Sequence, residues 1–452
     1  MFTSVLVANR GEIARRVIRT ARRMGLRTVA VYSSADAELP YVREADEAVP
    51  IGPAAPAASY LDMDAVLAAA RRTGAQAVHP GYGFLAESAT FARRVLGAGM
   101  TWVGPPPAAI ESMGEKVNAR NLMAEAGVPV AGGTRQPVTE VAAALDAARA
   151  LGYPLMVKAV AGGGGIGMSV VHDEGGMRSA FGTARTRAER FFGNPGILLE
   201  RYLEHARHVE VQIVGLPDGR VLALGERDCS VQRRHQKVAE ETPSTGVTPE
   251  LRQRMVAAAV RAGQAVGYRN LGTVECLVDP VAQDFVFLEM NTRLQVEHPI
   301  TELVTGIDLV EQQLLLAGGQ PVTIEAAAGA SGVPAGGHAL ELRVYAEDPR
   351  RFLPSPGTIR AWEEPRGEGV RVDAGYEAGS VVTQYYDPLL AKLCTWGADR
   401  SEALARARHA VAAFVIEGPR TNLPFHAELL AHPDFVSGTY DTGLVARMRA
   451  TP

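Results

Sequence analysis

The chain has 452 residues, which is too long for one hydrophobic core and predicts two to four domains. Hydrophobic residues make up 47% and charged residues 21%, as in ordinary globular enzymes, and a net charge of -4 gives no reason to expect nucleic acid or an anionic membrane as a partner. Three widely separated cysteines, Cys229, Cys276 and Cys394, argue against a disulfide framework or a zinc site and favour a cytoplasmic location. Neither a membrane span nor a signal peptide is expected.

Lysine is rare in this sequence. It occurs only at Lys116, Lys158, Lys237 and Lys392, so 42 of the 46 basic residues are arginine. A retained lysine indicates that a compact ammonium is needed at that point, with codon bias as the alternative. Three of the four lie in the motif-bearing stretches described below, which favours the first interpretation.

The first hundred residues predict a doubly wound α/β unit. An apolar strand, an amphipathic helix and a second strand follow one another within residues 4–32. The turn after the first strand holds a single glycine, which disfavours a dinucleotide fingerprint and hence an NAD oxidoreductase. A later strand, Ala77–His79, enters a Gly-rich loop in which Tyr82 and Glu87 are either cleft contacts or parts of a structural turn.

A capping box at residues 112–115 predicts a helix that carries Lys116 in its first turn. A lysine and free backbone amides at that position suit an anion, whereas a solvated lysine is the alternative.

A smaller unit follows Pro129, with a helix predicted at Val138–Leu151, a strand at Pro154–Val160 and another at Met168–His172. The glycines between the two strands join strand to strand without a following Gly-Lys-Ser/Thr, which excludes a P-loop and a Rossmann turn. They predict a hairpin, here called the glycine flap (residues 161–167), whose amides can contact phosphate, with a merely flexible tip as the alternative. Lys158 lies in the apolar strand before the flap, where an unpaired ammonium is costly, so phosphate is its expected partner.

Two apolar strands, Thr273–Asp279 and Phe285–Leu288, predict an antiparallel pair, here called the acid hairpin. Glu275 and Glu289 are separated by an even number of residues, so they can lie directly opposite each other, ~4.5–5.5 Å apart at Cβ. Two carboxylates at that distance raise each other's pKa unless a cation separates them, and an open shell of hard oxygen ligands suits magnesium with nucleotide phosphates. The alternative is a pair of acids each bonded to an arginine. A five-residue loop or a bulge is required to hold this register.

The residues after the acid hairpin continue its polar face. Because strand side chains alternate, Glu289, Asn291 and Arg293 are predicted to point one way and Met290 into the core. The earlier charge-dense run at residues 226–237 is typical of a solvated face and is weak evidence for nucleic acid.

Together these stretches resemble the ATP-grasp enzymes and, within them, biotin carboxylase, over essentially the whole chain. The resemblance rests on residues 8–14, 79–85, 226–230, 232–237 and 289–298 and on the glycine flap. It also rests on 343–349, 352–357 and 385–388, which a generic ATP-grasp ligase does not share. One departure is Ile166, which occupies a flap position that is often basic in relatives. This puts in doubt whether a charged side chain of the flap contacts the nucleotide phosphates.

The resemblance implies a three-domain chain of α/β and α+β class. A doubly wound pre-ATP-grasp domain would span residues 1–112, and an ATP-grasp domain would span 113–322. A small mobile lid subdomain would occupy about 130–203 of the latter, and a C-terminal biotin carboxylase domain would span 335–445.

The resemblance also implies chemistry. Bicarbonate would attack the γ-phosphoryl of ATP to give carboxyphosphate, and a ureido nitrogen of biotin would then be carboxylated. Arg293 would grip bicarbonate, Glu297 would be its general base, and Arg343 would stabilise charge on the biotin ureido oxygen. A structural salt bridge from Arg343 to Glu341 or Glu347 is the alternative.

Further roles implied by the resemblance are as follows. The ATP contacts would be Lys116, Lys158, Gly163, Gly164, Gly165, Gly167, Met168, Glu200, Leu203, His208, Gln232 and His235. The bicarbonate or biotin contacts would be Tyr82, Lys237, Gln295 and Val296 together with Arg293 and Arg343, with Lys237 also catalytic. Two magnesium or manganese ions would be held by Glu275, Glu289 and Asn291.

The expected partners follow from a missing motif. Multidomain relatives carry a biotinyl lysine flanked by methionines, and none of the four lysines here has a methionine neighbour. Biotin is therefore expected on a biotin carboxyl carrier protein or biotinyl domain of another chain, with a separate carboxyltransferase, as in an acyl-CoA carboxylase. A homodimer is what relatives form. The alternatives are another ATP-grasp carboxylate–amine ligase and a nucleotide-binding subunit without turnover.

Overall fold

A computed structural model describes residues 1–160, 168–324 and 336–450. The glycine flap, with Gly163, Gly164, Gly165, Ile166 and Gly167, lies outside the described residues.

The N-terminal unit is a five-stranded parallel sheet covered by helices, as predicted. Its strands, in spatial order, are Glu47–Gly52, Arg27–Ser33, Ser4–Val7, Ala77–His79 and Thr101–Trp102. The helices are Gly11–Arg23, Pro40–Glu44, Met63–Thr73, Ala89–Gly97 and Pro107–Gly114, with a 3₁₀ turn at Pro56–Ala58. The strand Ser4–Val7 is buried along its whole length because helices cover both faces of a parallel sheet.

The predicted capping box at residues 112–115 is wrong. Ser112 lies inside the helix that begins at Pro107, where a ring-locked φ favours the first helical position. Glu115 is the actual cap of the next helix, Lys116–Glu125, and its carboxylate accepts from the backbone N–H groups of Val117 and Asn118 at 3.1 and 2.9 Å. Lys116 is nevertheless in the first turn, as predicted.

A three-stranded antiparallel sheet forms a separate small layer over the cleft. Its strands, in order, are Ser169–Val171, Leu155–Ala159 and Ile197–Arg201, and its helices are Val141–Leu151 and Glu174–Phe192. The first two strands pair antiparallel, in agreement with the predicted hairpin. The first helix begins three residues later than predicted because Val138 forms a bridge with Ile197.

An eight-stranded sheet carries the rest of the described chain. Its strands, in order, are Asp284–Asn291, Asn270–Asp279, Arg207–Gly215, Val221–Arg233, Gln236–Thr242, His338–Tyr345, Leu389–Gly397 and Val370–Ala374. The strand His338–Tyr345 pairs antiparallel with Gln236–Thr242, so that Glu341 faces Glu240. The sheet therefore runs without a break from the acid hairpin to the C-terminal strands.

The remaining elements pack on this sheet. They are the helices Pro249–Ala265, His298–Thr305, Leu309–Ala317, Arg400–Ala413, Leu423–Ala431, Pro433–Ser437 and Leu444–Ala450, and the strand pairs Gly357–Thr358 with Val381–Val382 and Ala361–Glu363 with Val415–Glu417. The charge-dense run at 226–237 belongs to two sheet strands, and Arg227 and Asp228 are fully buried, so the solvated-face interpretation is wrong. Within the described ranges, no helix combines the length and apolarity needed to cross a bilayer.

Candidate active site

The acid hairpin has the predicted register. Glu275 pairs directly with Glu289, and a bulge between Glu275 and Cys276 supplies the irregularity that this register requires. Met290 is buried in the core, as the alternation predicts. Glu289 is exposed to the cleft, where desolvation and the charge of Glu275 raise its pKa.

Glu275 is buried and accepts four hydrogen bonds. Its Oε1 lies 2.8 Å from Lys237 Nζ, 2.7 Å from Asn291 Nδ2 and 3.0 Å from Gln295 Nε2. Its Oε2 lies 2.8 Å from His208 Nε2. Burial opposes the charge of this carboxyl, but Lys237 and His208 outweigh it and hold its pKa far below the usual range.

Glu297 is fully buried at the wall of the same site. It precedes the helix His298–Thr305, and its two oxygens accept from Lys237 at 2.7 Å and from Arg343 at 3.0 Å. Burial disfavours the carboxylate, but these cations prevail and hold the pKa of Glu297 well below its usual range. The carboxylate is therefore ionised and fully engaged.

Arg293 presents its planar fork beside the acid hairpin. Its Nε donates to Glu87 Oε2 at 2.9 Å, Nη1 donates to Gln295 Oε1 at 2.9 Å, and Nη2 donates to Asn291 Oδ1 at 3.1 Å. Glu87, one of the two residues named for the Gly-rich loop, thus joins the site as the ion-pair partner of Arg293.

Arg343 pairs with residues other than the two predicted for a structural salt bridge. Its guanidinium contacts Glu240 at 2.6 Å and Glu297 at 3.0 Å, and neither Glu341 nor Glu347 forms an ion pair with it among the described residues. Glu240 and Glu297 contact the same nitrogen of the guanidinium, so Arg343 connects these two buried acids.

The candidate nucleotide residues line the same cleft as the acid hairpin. Lys158 forms an ion pair with Glu200, and contact of Lys158 with phosphate stays a prediction. Gln232 Nε2 lies 2.6 Å from His208 Nδ1, which connects these two residues to Glu275.

One cleft of about 1780 Å³ collects the predicted site residues. Its walls include Tyr82, Lys116, Lys158, Met168, Glu200, Leu203, His208, Gln232, His235, Lys237, Glu275, Glu289, Asn291, Arg293, Gln295, Val296 and Arg343. Glu297 lies behind this wall through its bonds to Lys237 and Arg343.

Comparison with known proteins agrees with this arrangement. Family models match residues 1–110 (biotin carboxylase, N-terminal domain), 115–325 (carbamoyl-phosphate synthase L chain, ATP binding domain) and 341–447 (biotin carboxylase C-terminal domain). The biotin carboxylase of Halalkalibacterium halodurans is 49% identical over 98% of this chain and 97% of its own. The chain belongs to the biotin carboxylase family. Its activity is the ATP-dependent carboxylation of biotin, and it is a ligase that forms a carbon–nitrogen bond.

Solved structures give the same result. A Campylobacter jejuni biotin carboxylase crystallised as a β,γ-ATP complex superimposes with a TM-score of 0.95 at 40% identity, covering 99% of both chains. The biotin carboxylase domain dimer of Hydrogenobacter thermophilus 2-oxoglutarate carboxylase, in complex with MgADP, ADP and bicarbonate, superimposes with a TM-score of 0.93 at 39% identity. It covers 99% of this chain and 98% of its own.

The sequence reasoning missed two buried acids, Glu210 and Glu240, that bind cations of the site. Glu210 is buried opposite Glu275 on the neighbouring strand, and it binds Lys237 at 2.6 Å and Arg227 at 2.5 Å. Glu240 holds Arg343. The signal for Glu210 was the polar alternation at residues 208, 210 and 212, which places these side chains on one strand face.

Proposed function

We propose that this chain is a biotin carboxylase subunit that forms carboxyphosphate from ATP and bicarbonate and carboxylates biotin carried by another polypeptide. The observation that supports this proposal most strongly is that Lys237 and Arg343 both bind Glu297, while Arg293 lines the same cleft beside the acid hairpin. Phosphoryl transfer needs charge neutralisation and positioning more than covalent help, and this arrangement supplies both.

A divalent cation fits the acid hairpin. Glu289 is exposed to the cleft, and desolvation and the charge of Glu275 raise its pKa. A bound cation would relieve the repulsion between these two carboxylates. We propose that Glu275, Glu289 and Asn291 hold magnesium or manganese, two ions in total, which would neutralise phosphate charge when bound. Asn291 would have to turn its Oδ1 away from Arg293 to serve as a ligand.

The nucleotide would lie between the small three-stranded layer and the eight-stranded sheet. Lys116 and Lys158 would contact its phosphates, and Lys158 would leave Glu200 to do so. Met168 and Leu203 offer apolar contacts for the base, while His208, Gln232 and His235 are proposed near the ribose.

Bicarbonate would bind at Arg293, whose donor fork matches a planar anion with two oxygens. Lys237 and the backbone around Gln295 and Val296 would complete that subsite. Tyr82, which lines the cleft, donates its hydroxyl proton to Glu12 and would contact substrate only through its ring or after rotation.

Glu297 would remove the proton of bicarbonate. With Lys237 and Arg343 bound to it, its pKa is low and the carboxylate is a weak base. When those cations turn toward the substrate anion and the ureido oxygen of biotin, Glu297 loses their stabilisation and its proton affinity rises. Substrate binding would thus activate the base.

A separate biotin carrier is supported by the burial of the lysines. Lys392 is fully buried, Lys116, Lys158 and Lys237 are half-buried on the cleft walls, and none of the four has a methionine neighbour, so none is proposed to carry biotin. We therefore propose a biotin carboxyl carrier protein or biotinyl domain on another chain and a separate carboxyltransferase, as in an acyl-CoA carboxylase. The Hydrogenobacter domain was crystallised as a dimer, and a homodimer is proposed here too.

Phosphate release by the purified chain tests this function. We expect ATP cleavage to require bicarbonate, to increase when free biotin is added, and to yield labelled carboxybiotin from labelled bicarbonate. Bicarbonate-dependent cleavage that biotin does not increase would instead indicate another ATP-grasp ligase, and nucleotide binding without any turnover would indicate a non-catalytic subunit.

A further inference from the structure

Lys392 is the one lysine of this chain that the proposed chemistry does not use. It is fully buried in the strand Leu389–Gly397, and its Nζ lies 3.1 Å from the backbone carbonyl oxygen of Val296. We propose that Lys392 is a positioning residue that fixes the substrate-binding segment Gln295–Glu297 through this carbonyl. The inference rests on the proposed function, because it assigns that segment to bicarbonate.

The surroundings keep this lysine charged. Glu12 Oε2, from the first helix of the chain, lies 3.0 Å from Nζ, and Asp373 Oδ2, from the neighbouring strand, lies 4.0 Å away. Tyr82 donates its hydroxyl proton to the same Glu12. A buried ammonium is costly unless it is paired, so the acids secure the charge, and the bond to the Val296 carbonyl is charge-assisted.

The sheet register explains why the contact reaches this segment. Lys392 lies directly opposite Arg343 on the adjacent strand, and opposed residues project from the same sheet face. Arg343 binds the side chain of Glu297, whereas Lys392 binds the backbone of Val296. Two neighbouring cations on one face therefore hold two consecutive residues.

Holding this carbonyl restricts more than Val296. The peptide plane that joins Val296 to Glu297 is oriented by it, and Gln295 on the other side contacts both Arg293 and Glu275. A shift of this plane would move the backbone that receives bicarbonate and the carboxylate that removes its proton. Lys392 itself contacts Val296, Glu12 and Asp373, none of which is a proposed nucleotide contact, so a smaller effect is expected on nucleotide binding.

The shape of the site also explains the choice of lysine. A compact ammonium has three rotatable donors, which can reach a carbonyl and carboxylates arranged around a point. The planar fork of arginine directs its donors within one plane and needs more room. This account also gives a reason for the fourth retained lysine in an arginine-rich chain.

The test is Lys392→Met, which keeps the length of the side chain and removes the donor. We expect the KM for bicarbonate to rise about tenfold or more, as for the loss of one charge-assisted hydrogen bond, while the KM for ATP changes less than about twofold. Lys392→Arg should keep the buried positive charge and therefore fold more stably than Lys392→Met. Its KM for bicarbonate should nevertheless remain raised. The control is Thr395→Val, a buried change on the same strand that removes a bond to the Ala403 carbonyl and should leave both KM values unchanged.

If Lys392→Met does not yield folded protein because Glu12 loses its neighbouring cation, the double variant with Glu12→Gln is measured in its place. An unchanged KM for bicarbonate, or equal rises in both KM values, in a folded variant would overturn the positioning role. Absence of bicarbonate-dependent ATP cleavage in the unaltered protein would instead refute the proposed function, so the two failures are distinguishable.

Discussion

Glu275 and Glu289 occupy directly opposed positions on neighbouring antiparallel strands, and the charge of the first raises the pKa of the second. Glu275 keeps its charge through Lys237 and His208, whereas the pKa of Glu289 is raised by desolvation and by Glu275. The divalent cation proposed for this pair would therefore stabilise the ionised form of Glu289.

Glu289→Gln is expected to weaken binding of magnesium nucleotide about tenfold or more, because one of two anionic metal ligands becomes neutral. Calorimetric titration with ATP at several magnesium concentrations measures the effect. The control is Asp284→Asn, which removes an exposed acid on the same strand. Equal loss of affinity in both variants would contradict a specific metal role.

Glu297→Gln is expected to abolish most bicarbonate-dependent turnover, with a loss of about 10²–10⁴-fold, because the amide cannot accept the proton. Nucleotide binding should stay unchanged, since Glu297 is not one of the proposed nucleotide contacts. Glu111→Gln, which removes an exposed acid paired with Arg93, is the control. Full activity of Glu297→Gln would assign proton removal to another group.

Arg343→Met is expected to alter the pH profile as well as the rate. Arg343 is one of the cations that hold the pKa of Glu297 low, so its removal raises that pKa. Because the ionised carboxylate is the active form, the acid limb of bicarbonate-dependent ATP cleavage should move to higher pH. Carboxylation of biotin should fall further than ATP cleavage. A limb that moves to lower pH would contradict this account.

Glu240 gives a prediction for stability. Burial opposes its charge more strongly than Arg343 supports it, and its pKa is raised to about 7. Because the folded protein favours the protonated form of Glu240, this group adds to the free energy of unfolding at low pH. That contribution is fully present below the usual pKa range of a glutamate and is lost as pH rises through about 7. Glu240→Gln should therefore gain in free energy of unfolding relative to the unaltered protein between about pH 4.5 and 7. Denaturant unfolding at a series of pH values measures this, with Lys237, Glu297, Glu341 and Cys229 as the neighbouring titratable groups. A constant difference across the series would show that folding does not shift the pKa of Glu240.

Two helical glycines provide a matched pair of substitutions. Gly182 has open space where a Cβ would be added, so Gly182→Ala should stabilise its helix by roughly 0.5–1 kcal/mol. At Gly263 the added atom would lie 2.9 Å from Val221 and 3.1 Å from Ile213 side-chain atoms, so Gly263→Ala should destabilise by roughly 1–3 kcal/mol. Thermal unfolding compares them, and a shift of the same sign in both would contradict the packing argument.

The local parts of the fold could be predicted from the sequence because they depend on short periods. Two-residue alternation was enough to oppose Glu275 and Glu289, and the bulge that the register required is present. The cap of the helix at Lys116 was assigned wrongly because Ser112 and Glu115 offer competing local signals, and Pro107 decides between them.

The pairing of His338–Tyr345 with Gln236–Thr242 could not be predicted in the same way. Alternation shows which side chains share a face but not which distant strand lies alongside, and about a hundred residues separate these two. As a result Arg343 was recognised through its motif, whereas its partner Glu240 was not. Lys392 was noted as unusual, but its contact with Val296 depends on the same long-range pairing.

The unbroken eight-stranded sheet also limits how this enzyme can be divided or exchanged. A fragment that ends at residue 324 would leave Gln236–Thr242 as a bare edge and would lack Arg343, the ion-pair partner of Glu297. Recombination between relatives therefore has to transfer both sides of that seam together. The site residues on the paired strands must be exchanged together, although the sequence motifs that contain them are far apart along the chain.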